Sequence, residues 1–196
     1  ISLTILPNEK ICIQGKDSSG KSTLLKLMTG SYTDFRGSIM IDDVPIGNYN
    51  LDSLRAQTGV LLNQQDIFQG TLWENISLGN PAISMEAVKE YAAKAGLTDF
   101  VATLKEGYDT QLDPTGKRLP RNVVHRILLV RALVNKPRLL LLEEPWMNFS
   151  NSHRKQIIQL LTELENTTLV VVTNDEDFAR HCNRVVMINE NGSINN

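Results

Sequence analysis

The chain has 196 residues, 41% hydrophobic and 21% charged, a composition ordinary for a globular protein long enough to bury a real core. A net charge of −2 gives no electrostatic case for a nucleic-acid partner, since binders of the phosphate backbone normally carry a basic patch, and none is expected. Two cysteines, Cys12 and Cys182, make neither a disulfide framework nor a metal site and suit a reducing cytoplasm, and no apolar run approaches the roughly 20 residues that span a bilayer.

Residues 1–5 alternate like a strand, Pro7-Asn8-Glu9 reads as a turn, and residues 10–14 return as a second strand. A strand at the first residue suggests a domain excised from a longer chain. The start lacks the basic n-region of a signal peptide, so work at a membrane would need another segment to do the spanning. Next comes Gly15-Lys16-Asp17-Ser18-Ser19-Gly20-Lys21-Ser22-Thr23, set between that strand and a helical run over 24–28. It fits G-x-x-x-x-G-K-S/T in the strand-before, helix-after setting that makes the pattern a phosphate cradle, and it predicts a bound nucleoside triphosphate. Glycines at both ends let successive N–H groups and the helix N-terminus face the phosphates, Lys21 adds a full charge, and the Ser22 hydroxyl can ligate Mg²⁺. A glycine-rich turn that merely caps a helix explains neither the lysine nor the hydroxyl.

Residues 37–46 read as a short hairpin turning at Asp42-Asp43, and 51–57 as a brief helix that Asn50 could cap. Residues 60–62 are a buried-strand candidate ending in the amides Asn63-Gln64-Gln65, which at a strand's carboxyl end point into the usual ligand crevice of an α/β sheet. Residues 84–95 and 97–104 read as helices split by Gly96, a helical insertion in an α/β pattern. There follow a strong helix over 123–134, a buried strand over 138–142, an amphipathic helix over 154–164, a strand over 169–172, a short helix after Asp175 and a last core strand over 185–188. Four leucines, 139–142, run straight into Glu143-Glu144-Pro145. An apolar strand ending in acids is how phosphate-loop enzymes set one carboxylate by Mg²⁺ and, one residue later, a group that orients or deprotonates the attacking water. The plainer reading is a strand end with two solvated acids.

This ordered series resembles the nucleotide-binding domain of ATP-binding cassette transporters, most closely the exporter type, over essentially the whole chain. The resemblance rests on the phosphate loop, Leu54-Arg55 through Val60, Phe68-Gln69-Gly70-Thr71 with Glu74-Asn75-Ile76, Gly107-Tyr108-Asp109-Thr110, Arg126-Ile127 through Arg131-Ala132-Leu133, and Glu144-Pro145. It implies a single α/β domain over 1–196 of the P-loop NTPase class, with a parallel-rich core sheet, an antiparallel edge subdomain and a helical subdomain near 70–133. It also implies ATP with Mg²⁺, the cytoplasmic face of a cell membrane, a transmembrane domain as partner, and a second nucleotide-binding domain, identical or different.

The departures from the family pattern carry as much meaning. The signature loop, Leu-Ser-Gly-Gly-Gln in the family, falls on Leu119-Pro120-Arg121-Asn122-Val123. In the family it reaches across a dimer to the partner's γ-phosphate; Pro120 has neither hydroxyl nor N–H, and Arg121 and Asn122 put side chains where backbone should approach. Pro120 as a simple helix start is the favoured reading, with Arg121 as a charged substitute at the phosphate the other. The family's histidine falls on Asn174, an amide that can bond a γ-phosphate oxygen but not share a proton; its Mg-associated aspartate falls on Glu143, its catalytic glutamate on Glu144, and its glutamine on Asn63, with Gln64 adjacent. Met147-Asn148-Phe149-Ser150 lacks the dimer-bridging acid, and the adenine-stacking aromatic would lie upstream of Ile1. His125, His153 and His181 match no catalytic position and are expected to be surface or structural residues.

Two expectations follow: a motor in which ATP closes a dimer and hydrolysis, slow in the domain alone, reopens it, or a nucleotide-gated, hydrolysis-poor partner subunit in a mixed dimer. Retained Glu144 favours the first, Asn174 and Pro120 the second. A small-molecule kinase would share the phosphate loop but leave the downstream series unexplained.

Overall fold

The computed structural model describes residues 1–32, 34–113, 119–190 and 192–195; 114–118, within the span expected to be helical, lie outside the described residues. In chain order the first elements are β1 (Lys10–Gln14), α1 (Lys21–Met28), β2 (Met40–Ile41), β3 (Val44–Pro45), α2 (Leu51–Gln57), β4 (Thr58–Leu61), β5 (Gly70–Thr71), α3 (Leu72–Ser77) and α4 (Met85–Lys94). There follow α5 (Thr98–Thr103), β6 (Gln111–Leu112), α6 (Arg121–Leu133), β7 (Leu139–Glu143), α7 (Asn151–Thr162), β8 (Thr168–Val172), α8 (Glu176–Ala179), β9 (Arg184–Ile188) and β10 (Ile194–Asn195). The chain divides into two compact units, one of 1–62, 137–143 and 165–196, the other of 63–136 and 144–164.

The first unit is built on a sheet of order β10-β9-β1-β8-β7-β4, parallel except for β10. Strands β7 and β8 read as unbroken Leu and Val runs because parallel strands inside a sheet are covered on both faces. Ile11, Ile13, Leu25, Leu141, Val170, Val172, Val186 and Ile188 form one buried cluster. Strand register then decides what gathers at one edge. Ile13 pairs with Val172, and Val172 on its other side with Glu143, so the carboxyl ends of β1, β8 and β7 line up side by side. The hairpin β2–β3 turns at Asp42-Asp43, both left-handed, and Asn50 caps α2 by accepting from the Ser53 N–H at 3.0 Å.

The strand expected over 1–5 is not formed. Leu3 and Ile5 pack on the core, which accounts for the alternation, but β9 already pairs with β1 and β10, and Thr4 is held instead by Arg184, whose Nη2 donates to its carbonyl at 2.6 Å.

The second unit holds α3 to α7 and the small antiparallel sheet β5–β6, neither β5 nor α3 having been assigned from the sequence. Helix α3 starts at a capping box, in which Glu74 N–H donates to Thr71 Oγ1 at 3.0 Å and Thr71 N–H to Glu74 Oε2 at 2.7 Å. Helix α4 stops at Gly96, left-handed at φ 68°, where Leu97 N–H reaches the Ala92 carbonyl at 2.7 Å and Gly96 N–H the Ala93 carbonyl at 3.0 Å, the paired bonds of a glycine C-terminal cap. Helix α6 buries Ile127, Leu128, Leu129, Val130 and Leu133 and packs against α3 and α4.

Candidate functional site

The carboxyl ends of β1, β7 and β8 carry the loop 15–23, Glu143 and Asn174, all within the first unit. The loop needs backbone shapes that side chains resist: Gly15 lies at φ 151°, Ser18 at 63° and Gly20 at 95°. At Gly15 there is no room for a Cβ, which would stand 2.4 Å from the Ile188 carbonyl oxygen. Gly20 is the N-cap of α1, and its carbonyl accepts the Leu24 N–H at 2.9 Å to start the helix.

The loop closes around its own lysine. Lys21 Nζ donates to the Gly15 carbonyl at 2.7 Å and the Lys16 carbonyl at 2.6 Å, and lies 3.5 Å from Ser19 Oγ. One residue on, the Ser22 hydroxyl donates to the Glu143 carboxylate, which is only 6% exposed at the end of β7. Asn174 Oδ1 accepts the Gly15 N–H at 3.1 Å and its Nδ2 donates to the Gly15 carbonyl at 3.2 Å. Asp17 and Thr23 are exposed, and Lys16 pairs with Glu190 at 2.8 Å, both side chains so open to water that the pair adds little stability.

Asn63, Gln64, Glu144 and 119–123 belong to the second unit. Asn63 and Gln64 form an exposed turn just after β4. Glu144, half-buried, is left-handed at φ 45°, a conformation that costs a residue with a side chain about 1–3 kcal/mol. Pro120 is the N-cap of α6, taking the Val123 and Val124 N–H groups on its carbonyl but offering no side-chain cap; the helix therefore begins at Arg121, earlier than the 123 read from the sequence. Arg121 turns to Asp66, with Nη1 3.4 Å from its carboxylate.

Two residues of α6, His125, expected to be surface or structural, and Arg131, quoted as part of the family pattern, make contacts inside this unit. Buried His125 approaches the Glu144 carbonyl with Nε2 at 3.1 Å and meets the Phe149 ring edge-on. Burial keeps its imidazole below the ordinary 6.5, against the pull of that carbonyl bond, so it is neutral and donates at physiological pH. Arg131 donates from Nε to the Asn75 carbonyl at 2.6 Å and from Nη2 to Asn75 Oδ1 at 3.0 Å, with Nη1 3.3 Å from the Asp66 carbonyl, and covers the Phe68 ring. Burial pushes this guanidinium down to about 10, leaving it a cation at neutral pH. The available signal was a charge inside an apolar helix, which needs a buried partner.

The family described as ABC transporter matches residues 1–147, a span that takes in the phosphate loop, the Ser22–Glu143 pair and Glu144. Over 99% of its length the chain is 34% identical to the cyclolysin secretion/processing ATP-binding protein CyaB of Bordetella pertussis and 32% identical to the alpha-hemolysin translocation ATP-binding protein HlyB of Escherichia coli. It spans 27% of the length of each of these relatives. Among solved structures it matches a bacterial Atm1-family ABC exporter with ATP bound at a TM-score of 0.86 and 25% identity, over 95% of this chain and 33% of that one. A phosphate loop after β1, an acid pair at the end of β7 and a family match across both make this chain a member of the ABC transporter family.

Proposed function

We propose that this chain is the ATP-driven domain of an exporter. It holds Mg-ATP at 15–23, pairs over nucleotide with a second such domain, and drives a transmembrane domain from the cytoplasmic face of a membrane. The observation that carries the reading is the Ser22–Glu143 pair beside a lysine enclosed by its own loop. Hydroxyl and carboxylate are hard oxygen donors suited to Mg²⁺, which uses few protein ligands and takes the rest from phosphates and water. Ser22 and Glu143 would hold Mg²⁺, whose charge would offset that of the nucleotide phosphates. Lys21 exchanges the Gly15 and Lys16 carbonyls for phosphate oxygens, and Asn63 or Gln64 reports the γ-phosphate. Glu144 orients the attacking water and takes its proton, its direction fixed by a left-handed backbone whose carbonyl His125 holds.

The segment 119–123 lends a partner site neither a serine hydroxyl nor close glycine backbone, so a self-paired dimer turns over slowly and a partner with an intact signature loop speeds it. A second reading, a nucleotide-gated subunit that hydrolyses little beside a competent partner, draws support from Pro120, which leaves α6 without a side-chain cap, and from Arg121, which is paired with Asp66.

The test is calorimetric titration with Mg-ATP. Lys21→Ala removes charge-assisted contacts of about 1.5–3 kcal/mol, roughly 10- to 150-fold in affinity. Glu144→Gln should keep ATP bound and abolish single-turnover hydrolysis. Equal ATP affinity for wild type and Lys21→Ala would refute the site, and hydrolysis undiminished in Glu144→Gln would refute the assignment of the base.

A further inference from the structure

Strands β1 and β8 pair in parallel, and their ladder runs past the strand end, where the Thr173 N–H donates to the Ile13 carbonyl at 3.1 Å. One residue further a side chain takes the ladder over. The Asn174 amide, whose Oδ1 and one Nδ2–H lie side by side on one edge, bonds both the N–H and the carbonyl of Gly15, at 3.1 and 3.2 Å. Gly15 is closed in from another side by the Ile188 carbonyl, which a Cβ would meet at 2.4 Å. Its own carbonyl also takes the Lys21 ammonium at 2.7 Å.

We infer that Asn174 is a positioning residue that latches the phosphate loop at its first residue and readies Lys21 for nucleotide. The Gly15 carbonyl has two lone pairs, one used by Lys21 and one by Asn174. When the ammonium turns to phosphate, the carbonyl keeps the amide and is not left without a partner, a state that would count against binding. Histidine cannot replace this latch, because its ring nitrogens do not sit side by side on one edge to meet the N–H and the carbonyl of one residue. A contact with the γ-phosphate would act on ATP alone, whereas a latch on the loop acts on every nucleotide the loop holds, diphosphate included.

That difference is the test, whose nucleotide arm rests on reading 15–23 as the ATP site. Asn174 is exposed, so its truncation spares the core. Wild type, Asn174→Ala and Asn174→His are titrated with Mg-ATP and with Mg-ADP by calorimetry, and exchange of the Gly15 amide is followed by NMR in nucleotide-free protein. Both variants should bind ATP and ADP more weakly by the same factor, about three- to tenfold for a partly exposed amide pair, and Gly15 should exchange faster. An effect confined to ATP, stronger ATP binding by Asn174→His, or unchanged affinities with unchanged Gly15 exchange would each overturn the latch. If wild type bound neither nucleotide, the ATP reading would fall, and the Gly15 exchange rates would still decide the latch.

Discussion

Gly15 and Gly20 bracket the same loop, both at positive φ, yet only one is enclosed. Gly20→Ala would meet nothing within 4 Å, so its penalty is backbone strain alone, about 1–3 kcal/mol. Gly15→Ala carries similar strain and also drives a Cβ to 2.4 Å from the Ile188 carbonyl oxygen and 3.0 Å from Ser19 Oγ. The Ile188 oxygen is backbone on a core strand and cannot swing aside, so overpacking adds about 1–3 kcal/mol. The expected gap between the two variants is that second term, roughly 2–12 °C in melting temperature at about 2–4 °C per kcal/mol. The assay is thermal and urea unfolding without nucleotide, followed by far-UV circular dichroism. Circular dichroism reads the strands and helices of both units, whereas Trp73 and Trp146 both lie in the second. Equal destabilisation by the two alanines would refute the view that Gly15 is required for close approach and not only for its φ.

Restoring the signature segment by Pro120→Ser, Arg121→Gly and Asn122→Gly should raise turnover of the self-paired form by roughly 10²- to 10³-fold for each donor regained, read as steady-state phosphate release at saturating Mg-ATP; no change would remove mechanistic weight from these residues. Arg131→Lys keeps the charge but not the fork that grips Asn75, and should destabilise the second unit by about 1–3 kcal/mol in urea melts read by tryptophan fluorescence; an unchanged midpoint would contradict the role given to that fork. His125 is held below its ordinary 6.5 by burial, so as pH falls the unfolded chain takes up this proton first. Its contribution is complete above 6.5 and is lost as pH drops through the lower folded-state value; urea midpoints between pH 8 and 5 should fall more for wild type than for His125→Gln, and parallel curves would refute a buried neutral imidazole.

Much of this fold was legible because its signals are local. Asn50, Ser84 and Asp175 each precede a helix and each accepts from that helix's first turn; Gly96 ends one; Asp42-Asp43 makes its hairpin turn. The phosphate loop is equally local, a strand, a six-residue turn and a helix in one stretch. Where boundaries moved, a nearby residue moved them. The helix read from 154 begins at Asn151 because Ser150 caps it, and the helix read from 123 begins at Arg121 because Pro120 takes the first-turn N–H groups on its carbonyl. Residues 1–5 misled for a different reason, since alternation tells which side chains turn to the core but not whether a neighbouring strand has an edge to offer.

What the amino-acid order determined by itself was therefore the kind of site: a phosphate loop between a strand and a helix, and an apolar strand running into two acids. What only the tertiary structure decided was the company each residue keeps. Ser22 meets Glu143 from 121 positions away, and Gly15 meets Asn174 from 159, because the strand order places β8 between β1 and β7 and registers their carboxyl ends. Likewise Arg131 finds Asn75 across 56 residues and His125 finds the Glu144 carbonyl across 19. Backbone preferences act over a few residues along the chain, but a hydrogen bond between side chains requires their strands or helices to be neighbours. That adjacency is set by the packing of a buried core and is written in no single stretch of sequence.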